Sequence, residues 1–265
     1  MATPSALLQV MIAAARKAGR RLVRDFGEVQ ELQVSKKGPS DFVSAADIKA
    51  EQTLVEELSK ARPGYGFLAE ERGEQEGSDK THRWIVDPLD GTTNFLHGLA
   101  QWAVNIALER EGAVVAAVTY APALDELFWA EKGRGAFINQ EKRLRVAARK
   151  RFDDCLFATG IPFQGKPGLT PFLKELHQVA PRVAGVRRFG SAALDMAYVA
   201  AGRFDGYWER DVKPWDIAAG GLLVLEAGGQ ASDIDGAPFA PEKGSALVAN
   251  PDLHPQLLQR LRAAA

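Results

Sequence analysis

Trp84-Ile85-Val86-Asp87-Pro88-Leu89-Asp90-Gly91-Thr92-Thr93-Asn94-Phe95 starts as an apolar strand and ends as the opening turn of a helix. Between the two halves it delivers a pair of carboxylates three residues apart, a glycine and two hydroxyls. Carboxylate oxygens, water and phosphate are the ligands a hard cation such as Mg2+ prefers. A Gly-Thr-Thr turn opening a helix offers backbone N–H groups and a positive dipole end to an anion. Metal and phosphate chemistry in one segment points to metal-dependent hydrolysis of a phosphate ester. A phosphatase that phosphorylates its own aspartate carries Asp-x-Asp-Gly-Thr at a strand end, but here Pro88 and Leu89 intervene. Carboxylates two apart on a strand share a face and those three apart do not. The intervening turn can present the Leu89 carbonyl as a neutral ligand, which favours metal-activated water over a phosphoenzyme.

Outward from this run the elements alternate. On the C-terminal side the pattern predicts an antiparallel meander: Trp102–Arg110, Ala113–Tyr120, Glu126–Ala130 and Gly135–Asn139. On the N-terminal side, strands are expected at Phe67–Ala69 and Arg83–Val86, separated by a polar, mobile-looking stretch from Arg72 to Thr81. A helix is expected from Ser44 to Ala61, with Ser44 and Asp47 at capping-box spacing, stopped by Arg62-Pro63-Gly64. The N-terminal segment Ala6–Phe26 reads as an amphipathic helix, with Thr3 as cap and Pro4 at its first position. Its interleaved Arg16, Lys17, Arg20, Arg21 and Arg24 rule out a secretory apolar core and read as a solvated face. Composition turns basic around Leu144–Lys150, which places a boundary there, giving halves 1–145 and 146–265. Beyond it, strands are expected at Leu156–Thr159, Arg187–Phe189 and Tyr207–Trp208. Helices are expected at Pro171–Val179, Ala192–Ala201, Trp215–Ala227 and Pro255–Ala263. The mixture of meander and crossovers argues for stacked layers of helices and sheets.

With 265 residues, 46% of them hydrophobic and 25% charged, the chain can bury a sizeable core. Lys+Arg 33 against Asp+Glu 34 gives no basic excess, hence no reason to expect direct nucleic-acid binding. The lone Cys155 allows no internal disulfide, fits a reducing cytoplasm and reads as a buried, inert thiol between apolar neighbours. No apolar run reaches transmembrane length. His82, His97, His177 and His254 lack metal-ligand spacing. Gly133-Arg134-Gly135 reads as a hairpin turn, and Arg187-Arg188 as structural or interfacial.

Two carboxylates neither fill a divalent-cation shell nor neutralise two cations, so further acids are needed. Candidates at element ends are Glu70, Glu71, Asp47 and Asp216. An acid in a first helical turn is ordinarily a cap partner or dipole complement, a reading that competes for Asp47. Asp216, between Trp215 and Ile217, must be paired or coordinated if buried. Glu71 reads as a solvated neighbour of Glu70, and Glu209, ahead of Arg210, competes with a surface-glutamate reading.

Five blocks together resemble the inositol monophosphatase family of Mg2+-dependent, lithium-sensitive phosphatases, most closely its bacterial inositol-1-monophosphatase branch. They are Asp41–Asp47, Phe67–Glu71, Trp84–Phe95, Gly190–Asp195 followed by Gly206–Glu209, and Trp215–Gly220. The resemblance runs from the N-terminal helix to the C-terminus. It implies an α+β fold, a five-layer αβαβα sandwich with the active site between two halves, and a homodimer. It implies that Glu70, Asp87 and the Leu89 carbonyl hold a first Mg2+, that Asp87, Asp90 and Asp216 hold a second, and that Glu70 with water holds a weaker third. By the same resemblance Asp47 and Thr92 orient the attacking water, and Glu70 takes its proton. Gly91, Thr92 and Thr93 receive the phosphate, while Asp90, Gly190, Ser191, Ala192, Glu209 and Asp216 meet the hydroxyls of a phosphorylated polyol. Relatives place the loop holding Lys36, Lys37, Gly38, Pro39 and Ser40 near the metals, so it is expected to act as a mobile flap. The expected reaction is hydrolysis of myo-inositol monophosphate. Histidinol phosphate, fructose 1,6-bisphosphate and 3′-phosphoadenosine 5′-phosphate are rival substrates, and partnership in transcription antitermination is an alternative of another class.

Overall fold

The computed structural model describes residues 3–28, 34–38, 41–139 and 142–264. Its order is α1 (Ala6–Gly27), β1 (Val34–Gly38), β2 (Asp41–Ser44), α2 (Ala45–Ala61), β3 (Tyr65–Ala69), β4 (Gly73–Gln75), β5 (Asp79–Asp90) and α3 (Thr92–Leu96). The meander follows as β6 (Ala103–Arg110), β7 (Ala113–Ala121), β8 (Glu126–Glu131), β9 (Gly135–Ile138) and β10 (Lys142–Arg143). Then come β11 (Leu156–Thr159), α4 (Leu169–Val179), β12 (Gly185–Arg187), α5 (Ala192–Ala200), β13 (Gly206–Arg210), α6 (Pro214–Glu226), β14 (Gln230–Ser232), β15 (Ser245–Ala249) and α7 (His254–Arg262).

Two larger sheets organise these elements. The first has eight strands in the order β10-β9-β8-β7-β6-β5-β3-β4, antiparallel except where β3 runs beside β5. The second has five in the order β12-β11-β13-β15-β14, with β11 parallel to both of its neighbours. Helices α1 and α2 cover one face of the first sheet, and α5 and α6 fill the space between the sheets. Helices α4 and α7 pack together, with α7 against β15 on the outer face of the second sheet. The result is the five-layer αβαβα sandwich of an α+β fold.

Periodicity explains the layering. Leu8, Met11, Ala15, Ala18 and Leu22 recur at helical spacing on α1, which packs on β6 and β7, and they share one buried cluster with Trp84, Val86 and Trp129 of the first sheet. Each large apolar side chain so enclosed contributes about 1.5–3 kcal/mol. The central helices instead bury residues all round: every residue of α5 and each from Ile217 to Val224 of α6 is buried. Their close approach requires Gly220, where a Cβ would stand 2.6 Å from the Met196 Cβ.

Several expectations shift. The α1 cap is Ser5, not Thr3: the Ser5 Oγ accepts from the Leu8 N–H at 3.3 Å, and the helix starts after Pro4. The Arg72–Thr81 stretch contains β4 and the start of β5, its polarity being that of a sheet edge open to water. The strand expected at Arg187–Phe189 lies two residues earlier, at β12. Strands β14 and β15 are additions. Val34–Gly38 and Asp41–Ser44 pair as an antiparallel hairpin. In the flap expectation Pro39 and Ser40 lie outside the described residues. Cys155 is buried, with its Sγ 3.0 Å from the Arg151 carbonyl and its pKa pushed up to about 12 by burial. Among the described residues no helix is long and apolar enough to cross a membrane.

Candidate active site

Strand β5 brings Asp90 to the wall of a cavity of about 560 Å³, with Asp87 buried beside it. It pairs with β6 at Asp87↔Asn105 and again at Asp90↔Ala103, a register shift that leaves one extra residue on β5. This bulge, rather than a turn, solves the facing problem of two carboxylates three apart. Oxygens of Asp87, Asp90 and Asp216 come within 4.8 Å of one another. Asp87 is buried, while Asp90 and Asp216 are partly open. Inside the bulge the Leu89 N–H donates to Asp87 Oδ1 at 2.9 Å, and the Leu89 carbonyl accepts from Thr92 Oγ1 at 3.1 Å.

Gly91 then turns the chain into α3. Its φ of +95° lies in the left-handed region, and a Cβ there would meet the Gln101 carbonyl oxygen at 2.8 Å. Only glycine fits without strain. Thr92 Oγ1 also approaches Asp47 Oδ1 at 3.0 Å, tying the hydroxyl to a fully buried carboxylate near the start of α2. The Asp47 position is thus that of a side chain aimed at the Thr92 hydroxyl. Glu70, just past the end of β3, lines the cavity and hydrogen-bonds with Asp87. Glu71 is half-buried, and its N–H donates to the buried Glu51 at 2.7 Å.

The second half of the chain closes the other side. Gly190, Ser191, Ala192, Glu209 and Asp216 all line the same cavity as Thr92 and Thr93. Ser191 Oγ donates to Asp90 Oδ2 at 2.5 Å and accepts from the Leu194 N–H at 3.3 Å as the cap of α5. The Ala193 N–H reaches the same Asp90 oxygen at 2.7 Å. Asp216 does two jobs: Oδ2 accepts from the Lys213 N–H at 2.7 Å as a cap, and the carboxylate joins the Asp87–Asp90 group. Glu209 Oε2 accepts from the Tyr207 hydroxyl at 2.6 Å.

Two asparagines missed by sequence reading hold the halves in register. Asn105 Nδ2 donates to the Trp215 carbonyl at 2.7 Å, and its Oδ1 accepts from Thr119 at 2.6 Å. Asn94 Nδ2 donates to the carbonyls of Gln101 and Phe189, each at 2.7 Å. Asn105 sits between Val104 and Ile106 in β6, where a buried amide that must find partners was the available signal; Asn94, after Thr92-Thr93, offered none.

Electrostatics distinguish this cluster from a surface acidic patch. Burial pushes Asp87 well above the usual carboxylate range, and the charges of Glu70, Asp90 and Asp216 add to it. Burial lifts Asp90 to about 7, against the opposing hydrogen bonds from Ser191 and Ala193. Burial, then the charge of Asp90, lifts Asp216 to about 8. Such a group of like charges is relieved by protons or by a cation. The three carboxylates offer only oxygens, the donor type that suits a hard divalent ion.

Comparison with known proteins gives a consistent result. The model of the inositol monophosphatase family matches residues 3–265. A relative from Caulobacter vibrioides named inositol-1-monophosphatase is 65% identical over 256 residues, covering 96% of this chain and 100% of the relative. The Nus factor SuhB of Escherichia coli K12 is 41% identical over 256 residues, with 97% and 96% covered. Among solved structures, the extragenic suppressor protein suhB from Bartonella henselae superposes with a TM-score of 0.95 at 55% identity, covering 97% of this chain and 99% of that one.

Proposed function

Because the chain belongs to the inositol monophosphatase family, a family of phosphatases, we propose that it is a Mg2+-dependent phosphomonoesterase that hydrolyses myo-inositol monophosphate to inositol and phosphate. The observation that carries the reading is the convergence of Asp87, Asp90 and Asp216, two of which line one cavity with Gly91, Thr92 and Thr93. Glu70, Asp87, Asp90, Asp216 and the Leu89 carbonyl would hold two to three Mg2+ ions. When bound, the ions supply positive charge that acidifies water and offsets the charge on phosphate and leaving oxygen.

The chain's own groups set the rest of the reaction. The Thr92 hydroxyl has a single proton, which it donates in a hydrogen bond to Asp47 or the Leu89 carbonyl, so its remaining lone pair accepts from the attacking water. That fixes the line of approach, and Glu70 accepts the water's second proton. N–H groups of the first turn of α3 lack helical partners and receive the phosphate oxygens, assisted by the Thr93 hydroxyl. Glu209 accepts from polyol hydroxyls on the far wall, next to Gly190, Ser191 and Ala192. The division at residue 145, a homodimer in the cytoplasm and inhibition by lithium belong to the same reading.

A panel of inositol 1-phosphate, histidinol phosphate, fructose 1,6-bisphosphate and 3′-phosphoadenosine 5′-phosphate tests the choice of leaving group. Preference for inositol 1-phosphate by kcat/KM upholds the proposal; preference for another member replaces the substrate. A second reading, a partner in transcription antitermination, is favoured by the 41% identity to a Nus factor. Recovery of transcription-elongation proteins on the immobilised chain supports it, and their absence removes it.

A further inference from the structure

Asp195 stands on α5 one turn beyond Ser191, only 1% exposed, and lines the catalytic cavity. Its Oδ1 is enclosed and has no hydrogen-bond partner among the described residues. It is not part of the Asp87–Asp90–Asp216 group, so the metal cluster does not account for it. A polar atom left in this state is costly, and native folds normally complete it. Asp195 lines the cavity, and a molecule bound there can supply the partner.

The surroundings define what that partner is. After burial, the charges of Glu209 and then Asp90 push the Asp195 carboxyl well above its usual range, with Arg188 opposing. Glu209 on β13 lines the same cavity. Glu209 is itself fixed: Tyr207 donates to it, and a Cβ on Gly160 would stand 1.8 Å from its Oε1. Carboxyls on two adjacent elements, facing one cavity, fit a ligand with hydroxyls on neighbouring carbons. A hydroxyl both donates and accepts, so it completes Asp195 whether or not that acid carries a proton.

We propose that Asp195 is a specificity-determining residue that hydrogen-bonds a hydroxyl of the leaving group, beside the one met by Glu209. This rests on the polyol-phosphate reading of the cavity. The selected class is phosphate esters of vicinal polyols; an aryl phosphate, which has no such hydroxyls, does not use the contact.

The test is Asp195→Leu, which keeps the side chain's branching and number of heavy atoms and removes both oxygens, with Asp195→Ala as a second variant should the first fail to fold. Activity is read on inositol 1-phosphate and on p-nitrophenyl phosphate with Mg2+. The expected result is a loss of about tenfold or more in kcat/KM for the polyol ester, the scale of a lost hydrogen bond to a carboxylate. The aryl ester should change less than about twofold. Equal losses on both esters, or none on either, overturn the inference while leaving the polyol reading intact. If the native chain hydrolyses neither ester, the functional reading falls, and thermal shift by inositol 1-phosphate decides. A shift in the native chain that disappears in the variant upholds the contact; equal shifts, or none in the native chain, overturn it.

Discussion

Replacing Asp90 by Asn should move stability and activity in opposite directions. Asn keeps one carbonyl oxygen to accept from Ser191 and Ala193, so the link between the halves survives. The lost charge faces Asp87 and Asp216, with oxygens no more than 4.8 Å apart. Two unit charges at 4.8 Å repel by ~3.5 kcal/mol at an effective dielectric near 20. Proton uptake by the metal-free cluster relieves part of this, leaving a gain on the order of 1–3 kcal/mol. In EDTA at pH 8 the variant should therefore melt a few degrees higher than the native chain. Mg2+ should reverse the order. Loss of a mere supporting group costs roughly 10–100-fold in metal affinity, so loss of a direct charged ligand should cost ~100-fold or more. Differential scanning fluorimetry over a Mg2+ titration, with phosphate release from inositol 1-phosphate, reads both effects. A variant that melts lower in EDTA, or keeps Mg2+-dependent turnover within tenfold of native, would refute the reasoning.

Three further outcomes follow from the same geometry. The metal-free chain should lose stability as pH rises: Asp90 and Asp216 bind protons more tightly folded than unfolded, so their stabilising effect is full below about pH 4 and is lost as pH passes about 7 and about 8. Melting temperature in EDTA against pH checks this, and a rise over that window contradicts it. Gly91→Ala should destabilise by about 1–3 kcal/mol, from the strain of a positive φ and contact with the Gln101 carbonyl, seen as a lower urea midpoint. Asn105→Ala should cost about 2–3 kcal/mol by freeing the Thr119 hydroxyl and the Trp215 carbonyl, and should weaken Mg2+ binding because Asp216 loses its brace. Calorimetric Mg2+ titration of that variant checks the second effect.

Much of the architecture was legible because its signals are local. The meander β6–β9 shows as strand-length apolar runs cut by Glu111-Gly112 and Gly133-Arg134-Gly135, and α1 by its apolar stripe. Strand β15, Ser245-Ala-Leu-Val-Ala249, was not legible, since a five-residue buried run of small residues resembles a helix fragment equally well. At β4, polarity dictated by an exposed edge hid the strand. The candidate residues of the run Trp84–Phe95 and of Trp215-Asp216 come together in space, and they could be picked out because chemistry confines residue types at element ends. The bulge at Pro88–Leu89 escaped, as register depends on the partner strand β6. Asn94, Asn105 and Asp195 escaped for the same reason: their meaning comes from carbonyls, hydroxyls and a cavity contributed by distant segments.

The most direct test of the central claim is phosphate release from inositol 1-phosphate by the purified chain, first in EDTA and then on stepwise return of Mg2+. The account predicts no release above background in EDTA and saturable recovery with Mg2+, abolished in the Asp90→Asn variant. Release that persists undiminished in EDTA, or a folded native chain that stays inactive at saturating Mg2+, would contradict it.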